Sequence, residues 1–200
     1  MRQKLLLATS NKGKVSEFRC LLRGIPYQIV SLAEEGITTK VDESGDSLGE
    51  NARLKAAILS KESSLLSLAD DSGLEVDALG GKPGVHSARY AGDNASDEDR
   101  VSYLLSRLEG VPWEKRSARF RCVIALATPH GRVEFFSGEC QGIITLTAKG
   151  GKGFGYDPIF YLPELDKTMA ELTPEIKNKI SHRGQAATKV YQVLIKPDNG

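Results

Sequence analysis

Leu65-Leu66-Ser67-Leu68-Ala69-Asp70-Asp71-Ser72-Gly73 is the stretch on which the fold turns: an apolar run that meets two adjacent carboxylates, a serine and a glycine. A short, bounded apolar run predicts a buried strand over residues 65–69. Along an extended strand successive side chains point to opposite faces, so Asp70 and Asp71 need not aim at one point. One can face a site while the other bonds to backbone or to a lysine. A carboxylate at a strand end is well placed to hold Mg²⁺, a hard cation that takes oxygen ligands and keeps several waters. Asp-Ser-Gly is equally ordinary turn chemistry, and the stretch alone leaves both readings open.

Working outward, residues 4–8 read as a second short buried strand, followed by Val15, Phe18 and Leu22 at helical spacing with Gly24 as a stop. Residues 27–32 predict another strand. Leu48, Ala52, Ala56 and Leu59 form one helical face. Residues 73–92 interleave Gly73, Gly80, Gly81, Pro83, Gly84 and Gly92 with apolar side chains and read as a structured loop region. Ser96-Asp97-Glu98-Asp99 is a helix start, with a serine cap and acids where the helix dipole favours them. Residues 117–128 and 132–147 predict two long strands joined at Pro129-His130-Gly131. Residues 149–158 form a second glycine-rich loop. Thr173-Pro174 opens a short helix with Pro at its first position, and a last helix follows Ser181. The mixture predicts α/β architecture with a partly antiparallel sheet, as one continuous domain over residues 1–200.

Bulk properties bound the function. The chain has 200 residues, 40% of them hydrophobic and 26% charged, enough to bury a core without disulfide or structural metal. Lys plus Arg is 27 and Asp plus Glu is 26, so a net charge of +1 gives no reason to expect a nucleic-acid or membrane partner. Cys20, Cys122 and Cys140 are scattered, without zinc-ligand spacing, and read as small buried hydrophobes. The apolar run at residues 5–8 is too short for a signal-peptide core, which makes a reducing cytosol the expected location.

Four segments can carry chemistry. Thr9-Ser10-Asn11-Lys12-Gly13-Lys14 lies between a strand and a helix, where backbone amides attract anions and glycine permits close approach. The spacing is not that of a Walker A loop, and a capped turn with solvated lysines would look the same. Asp71, with Glu43 as a second acid, can serve a metal. Gly153-Phe154-Gly155-Tyr156-Asp157-Pro158 offers rings between glycines that can stack on a base, and an acid that can accept from ring N–H groups. In the segment from Lys177 to Gly184, Ser181 can cap the last helix and place the basic His182 and Arg183 in its first turn, against its dipole. That arrangement points to a compensating anion or carbonyl. Together these are the parts of a nucleotide site.

These segments, in this order, resemble the inosine triphosphate pyrophosphatase-like enzymes. The matching residues are TSNKGK (9–14), ENARLKA (50–56), ADDSG (69–73), GGKPGVHSARY (80–90), FGYDPIF (154–160) and SHRG (181–184). The resemblance implies an elongated mixed α/β fold with a curved β-sheet flanked by helices, two lobes and a central substrate cleft. It implies a homodimer in the cytoplasm and Mg²⁺-dependent hydrolysis of inosine, deoxyinosine and xanthosine triphosphates to the monophosphate and pyrophosphate. By position it implies Asp71 as general base and metal ligand, and Glu43 as the second metal carboxylate. Thr9, Ser10, Asn11, Lys12, Gly13 and Lys14 would bind the triphosphate. Ser72, Lys55 and Lys177 would contact substrate, the lysines through phosphate. Phe154, Gly155, Tyr156 and Asp157 would line the base pocket, with His182 and Arg183 at the base edge. Asp70 receives only a supporting role. A nucleotide-binding module without turnover would share many of these parts, but it could dispense with the base.

Overall fold

The computed structural model describes residues 2–196. In chain order the elements are β1 (Lys4–Leu7), α1 (Lys12–Leu21), β2 (Gln28–Ser31), α2 (Leu48–Ser63), β3 (Leu66–Val76), α3 (Asp97–Arg107), β4 (Ser117–Ala127), β5 (Val133–Ile144), β6 (Phe160–Leu162), β7 (Lys167–Thr168), α4 (Pro174–Ile180) and α5 (His182–Leu194). The strands form one sheet in the order β2-β1-β3-β4-β5-β6-β7. β1 is parallel to β2 and to β3, whereas β6 is antiparallel to β5 and to β7. This is the mixed α/β sheet with flanking helices that the sequence predicts. No helix among the described residues is long and apolar enough to cross a membrane.

The chain divides into two compact units, each assembled from separated segments. Among the described residues the first comprises 2–71, 122–138 and 183–196, and the second 72–121 and 139–182. In the first unit, β1 is buried on both faces, as a strand between parallel neighbours should be. Leu5 and Leu7 pack with Phe18 of α1 and its C-cap Leu22, Leu68 of β3 and Ala186, Ala187 and Val190 of α5. Leu6 packs oppositely, with Ala52, Ala56 and Leu59 of α2 and Ala69 of β3. The sheet is therefore sandwiched, with α1 and α5 on one face and α2 on the other. Asn11 caps α1 by accepting from Lys14 N at 3.1 Å, and Ser47 caps α2 by accepting from Glu50 N at 3.2 Å. In the second unit, Leu74 and Val76 pack with Val101 and Leu104 of α3, with Phe120, Ile144 and Phe160 from the sheet, and with Tyr156 and Met169.

Two expectations are corrected. β3 does not stop at residue 69: it runs through Asp70, Asp71, Ser72 and Gly73 to Val76, so neither the turn reading nor the loop assignment of residues 73–76 holds. Both acids are buried and tied to cations, which removes the reason for the chain to turn toward water. Gly73 lets the strand pass a crossing segment, since a Cβ there would collide with Gly84 O and lie 2.9 Å from its carbonyl carbon. Gly73→Ala should therefore cost about 1–3 kcal/mol by overpacking against backbone, read as a lower urea midpoint with unchanged slope. Cys122 and Cys140 are buried, but Cys20 is exposed. It sits two residues past the buried Phe18, and two residues rotate a helix by more than half a turn.

Candidate active site

The alternation of β3 separates the two acids. Leu68 belongs to the face covered by α1 and α5, Ala69 to the face covered by α2, and the next two residues follow the same period. Asp70 turns toward α1 and α5. Its Oδ2 lies 2.9 Å from Lys14 Nζ and accepts from Arg183 Nε at 3.2 Å and Nη2 at 3.1 Å. Arg183 Nη1 also donates to Glu17 Oε2 at 2.7 Å. Asp70 is 1% exposed. Burial alone would raise its pKa, but Lys14, Arg183 and Lys55 outweigh that and hold the carboxyl well below the usual range. Cys122 Sγ lies 3.9 Å from the same oxygen, and burial pushes its thiol up to about 12.

Asp71 turns toward α2. Asn51 and Lys55, one helical turn apart on that helix, both reach it: Lys55 Nζ is 3.0 Å from Oδ1, and Asn51 Nδ2 is 3.4 Å from Oδ2. Lys55 Nζ is also 3.0 Å from Glu43 Oε1. The loop carrying Glu43 docks on the same helix, because Gly45 N donates to Asn51 Oδ1 at 2.9 Å, and a Cβ on Gly45 would lie 2.7 Å from Glu50 Cβ. Burial raises the Asp71 pKa, and Lys55 and Lys14 only partly oppose it. Lys55 is shifted up: burial favours the neutral amine, but Asp71, Asp70 and Glu43 outweigh it. Burial is the largest cause of the raised Asp71 pKa, and Glu43 adds to it.

Glu43 and Asp71 thus point oxygens at one shared cationic position, which Lys55 fills. Two convergent carboxylates are the donor set that suits Mg²⁺, which completes its octahedron with waters and phosphate oxygens. Among the described residues, no group of three or more His, Cys, Asp or Glu side chains is arranged to hold a metal, so any metal here depends on the pair and on oxygens from elsewhere.

The second unit holds a different cluster. Asp157 is 3% exposed, and its Oδ2 accepts from Phe154 N at 3.0 Å and Lys177 Nζ at 2.7 Å. Lys177 Nζ lies 5.1 Å from the half-buried Phe154 ring centroid, a cation–π distance. Gly153 has φ +79, and a Cβ there would collide with Asp157 Oδ2. The His182 ring stacks on Phe120, with centroids 4.7 Å apart and planes 16° apart.

The sequence-predicted residues therefore fall into two groups. Lys14, Glu43, Lys55, Asp71 and Arg183 belong to the first unit, with Asn11 capping α1, Thr9 Oγ1 accepting from Asn11 N at 3.2 Å, Ser10 and Lys12 exposed, and Gly13 in the first turn of α1. Phe154, Gly155, Asp157, Lys177 and His182 belong to the second, with Ser72 half-buried in β3. Three placements differ from expectation. Arg183 is 2% exposed with its fork on Asp70 and Glu17, because a buried guanidinium needs carboxylates. Lys177 pairs with Asp157 and lies over the Phe154 ring. Tyr156 is drawn into the core, its hydroxyl donating to Ser87 O at 2.9 Å. Sequence reasoning assigns no site role to Asn51, Glu17 or Ser87, and gives Asp97 only a place in the first turn of a helix. Asn51 carried a faint signal, lying one turn from Lys55 within ENARLKA.

The Ham1 family model matches residues 5–193. The dITP/XTP pyrophosphatase of Desulforamulus reducens is 53% identical over 191 residues, covering 96% of this chain and 95% of that protein. The dITP/XTP pyrophosphatase of Bacillus subtilis is 45% identical over 192 residues, covering 96% and 97%. Among solved structures, the Ham1 protein of Staphylococcus aureus superposes with a TM-score of 0.85 at 41% identity, and a HAM1 protein from Coxiella burnetii with 0.87 at 42%. Each comparison covers 96% of this chain and 98% of the other.

Proposed function

The chain belongs to the Ham1 family, and from its two clusters we propose that it hydrolyses deaminated purine nucleoside triphosphates, dITP, XTP and ITP, to the monophosphate and pyrophosphate with Mg²⁺. The relatives named above support the reaction class. The observation that carries the reading is the pair of carboxylates, Glu43 and Asp71, converging on one cation, the Lys55 ammonium.

The chain's own residues supply most of the chemistry. Asp71, made a stronger base by burial, accepts a proton from water as the water oxygen bonds to the α-phosphorus. The bond from the α-phosphorus to its bridging oxygen breaks, and pyrophosphate leaves. Lys14 and Lys55 provide fixed positive charge, since phosphoryl transfer depends chiefly on positioning and electrostatics. Held by Asp71 and Glu43, Mg²⁺ would add charge opposite the phosphate oxygens. On the base side, the half-buried Phe154 ring offers a stacking surface, and Lys177 and His182 offer donors for a 6-oxo group. Adenine carries an amino group at that position, so donor would meet donor. An unpaired buried polar group costs roughly 1–3 kcal/mol, about tenfold to more than a hundredfold in selectivity.

The test is pyrophosphate release from deoxyinosine, inosine, xanthosine, adenosine and uridine triphosphates. Faster release from the first three by at least tenfold is expected. Equal rates across the panel would discard the base reading and keep the hydrolysis, and a monophosphate free of ¹⁸O after reaction in labelled water would discard attack at the α-phosphorus.

A further inference from the structure

We propose that Asp97 is a positioning residue for the loop that carries Phe154. The proposal rests on the reading of Phe154 as the base-stacking ring. Asp97 is the first residue of α3, and its composition suggests only a favourable helix-dipole charge. The helix start does not need it. Ser96 Oγ accepts from Asp99 N at 3.1 Å, and Asp99 Oδ2 accepts from Ser96 N at 2.9 Å, a complete capping box with Glu98 and Asp99 still in the first turn. The Asp97 carboxylate turns elsewhere. Its Oδ2 accepts from Gly155 N at 2.7 Å, across 58 residues of chain, and its Oδ1 pairs with Arg100, whose Nη2 donates to Ala95 O at 2.8 Å. Arg100 thus holds the carboxylate from behind.

The effect falls on the ring. Gly155 has φ +63, the left-handed region that glycine enters at low cost and leaves as readily. Three consecutive residues of the loop are tied by three groups: Phe154 N by Asp157, Gly155 N by Asp97, and the Tyr156 hydroxyl by the Ser87 carbonyl. Without the Asp97 tie, the one conformationally loose residue between the two rings is held only by its neighbours. A short, charge-assisted bond to that amide fixes the plane of the Phe154–Gly155 peptide, and with it the direction in which the ring is presented. Asp97, Gly155 and Phe154 belong to the second unit and Asp71 and Lys55 to the first, so the consequence is expected in binding.

The experiment is steady-state kinetics on deoxyinosine triphosphate with Asp97→Ala, Asp97→Asn and Phe154→Ala, each also melted thermally. Asp97→Ala is expected to raise KM about tenfold, the worth of one charge-assisted bond, with kcat within about twofold. Asp97→Asn keeps an acceptor oxygen for Gly155 N–H and should recover most of the loss. Phe154→Ala should raise KM at least as much as Asp97→Ala. If Phe154→Ala leaves KM unchanged, the base reading fails and takes the proposal with it. If Phe154→Ala raises KM and Asp97→Ala does not, the proposal alone is overturned. It is overturned as well if Asp97→Ala lowers kcat and melting temperature together, or if Asp97→Asn is no better than Asp97→Ala.

Discussion

Asp71→Asn should lower kcat by roughly 10²–10⁴, the usual contribution of a positioned general base, without weakening the fold. The substitution keeps shape and one acceptor oxygen but removes the negative charge. Lys55 keeps Glu43 at 3.0 Å, so its ammonium is not stranded. The stability side follows from linkage. Burial raises the folded pKa of Asp71 above its unfolded value, so the folded state holds this proton more tightly. The ionised side chain therefore subtracts from stability as pH rises through the unfolded value to the folded one. A neutral amide removes that cost. Near pH 7 the variant should unfold at the same or a higher urea concentration than the parent. Its turnover should also lose the acid limb of the pH profile, which in the parent falls as Asp71 becomes protonated. A variant with parental turnover would remove Asp71 from the role of base, and one that was inactive and markedly less stable would make it structural.

The parts of the fold legible in sequence were those fixed by local pattern. The three buried leucines of β1, the helical face of Leu48, Ala52, Ala56 and Leu59, and the caps at Ser96 and Thr173 all depend on neighbours within a few residues. The continuation of β3 was hidden because two charges and a glycine look like punctuation. They are strand residues only because Lys14, Arg183 and Lys55 arrive from other elements to neutralise the acids, and because Gly84 crosses at Gly73. The ties made by Glu17 and Asp97 were hidden for a similar reason, their partners lying 166 and 58 residues away. Arg183 was read through its position at a helix start, where a cation calls for an anion. The anions are the chain's own carboxylates.

The same substitution one residue earlier should do the reverse. Asp70→Asn should cost about 3–5 kcal/mol of stability, the usual penalty for breaking a buried ion pair from one side. Three cationic contacts meet on Oδ2: Lys14 Nζ and two nitrogens of Arg183. Removing the charge leaves Arg183, 2% exposed, with Glu17 as its remaining carboxylate among these contacts, and leaves Lys14 facing an amide. The pH dependence also inverts. The folded pKa of Asp70 is depressed below its unfolded value, so its contribution is complete above the unfolded value and is lost as pH falls toward the folded one. Urea midpoints at pH 7 and pH 3 read this directly: the gap between parent and Asp70→Asn should be wide at pH 7 and narrow as the solution is acidified. An Asp70→Asn variant as stable as the parent at pH 7 would show that the cations do not need this carboxylate. The clamp would then be incidental to the strand, and the two neighbouring acids would no longer divide into one that holds the fold and one that works at its expense.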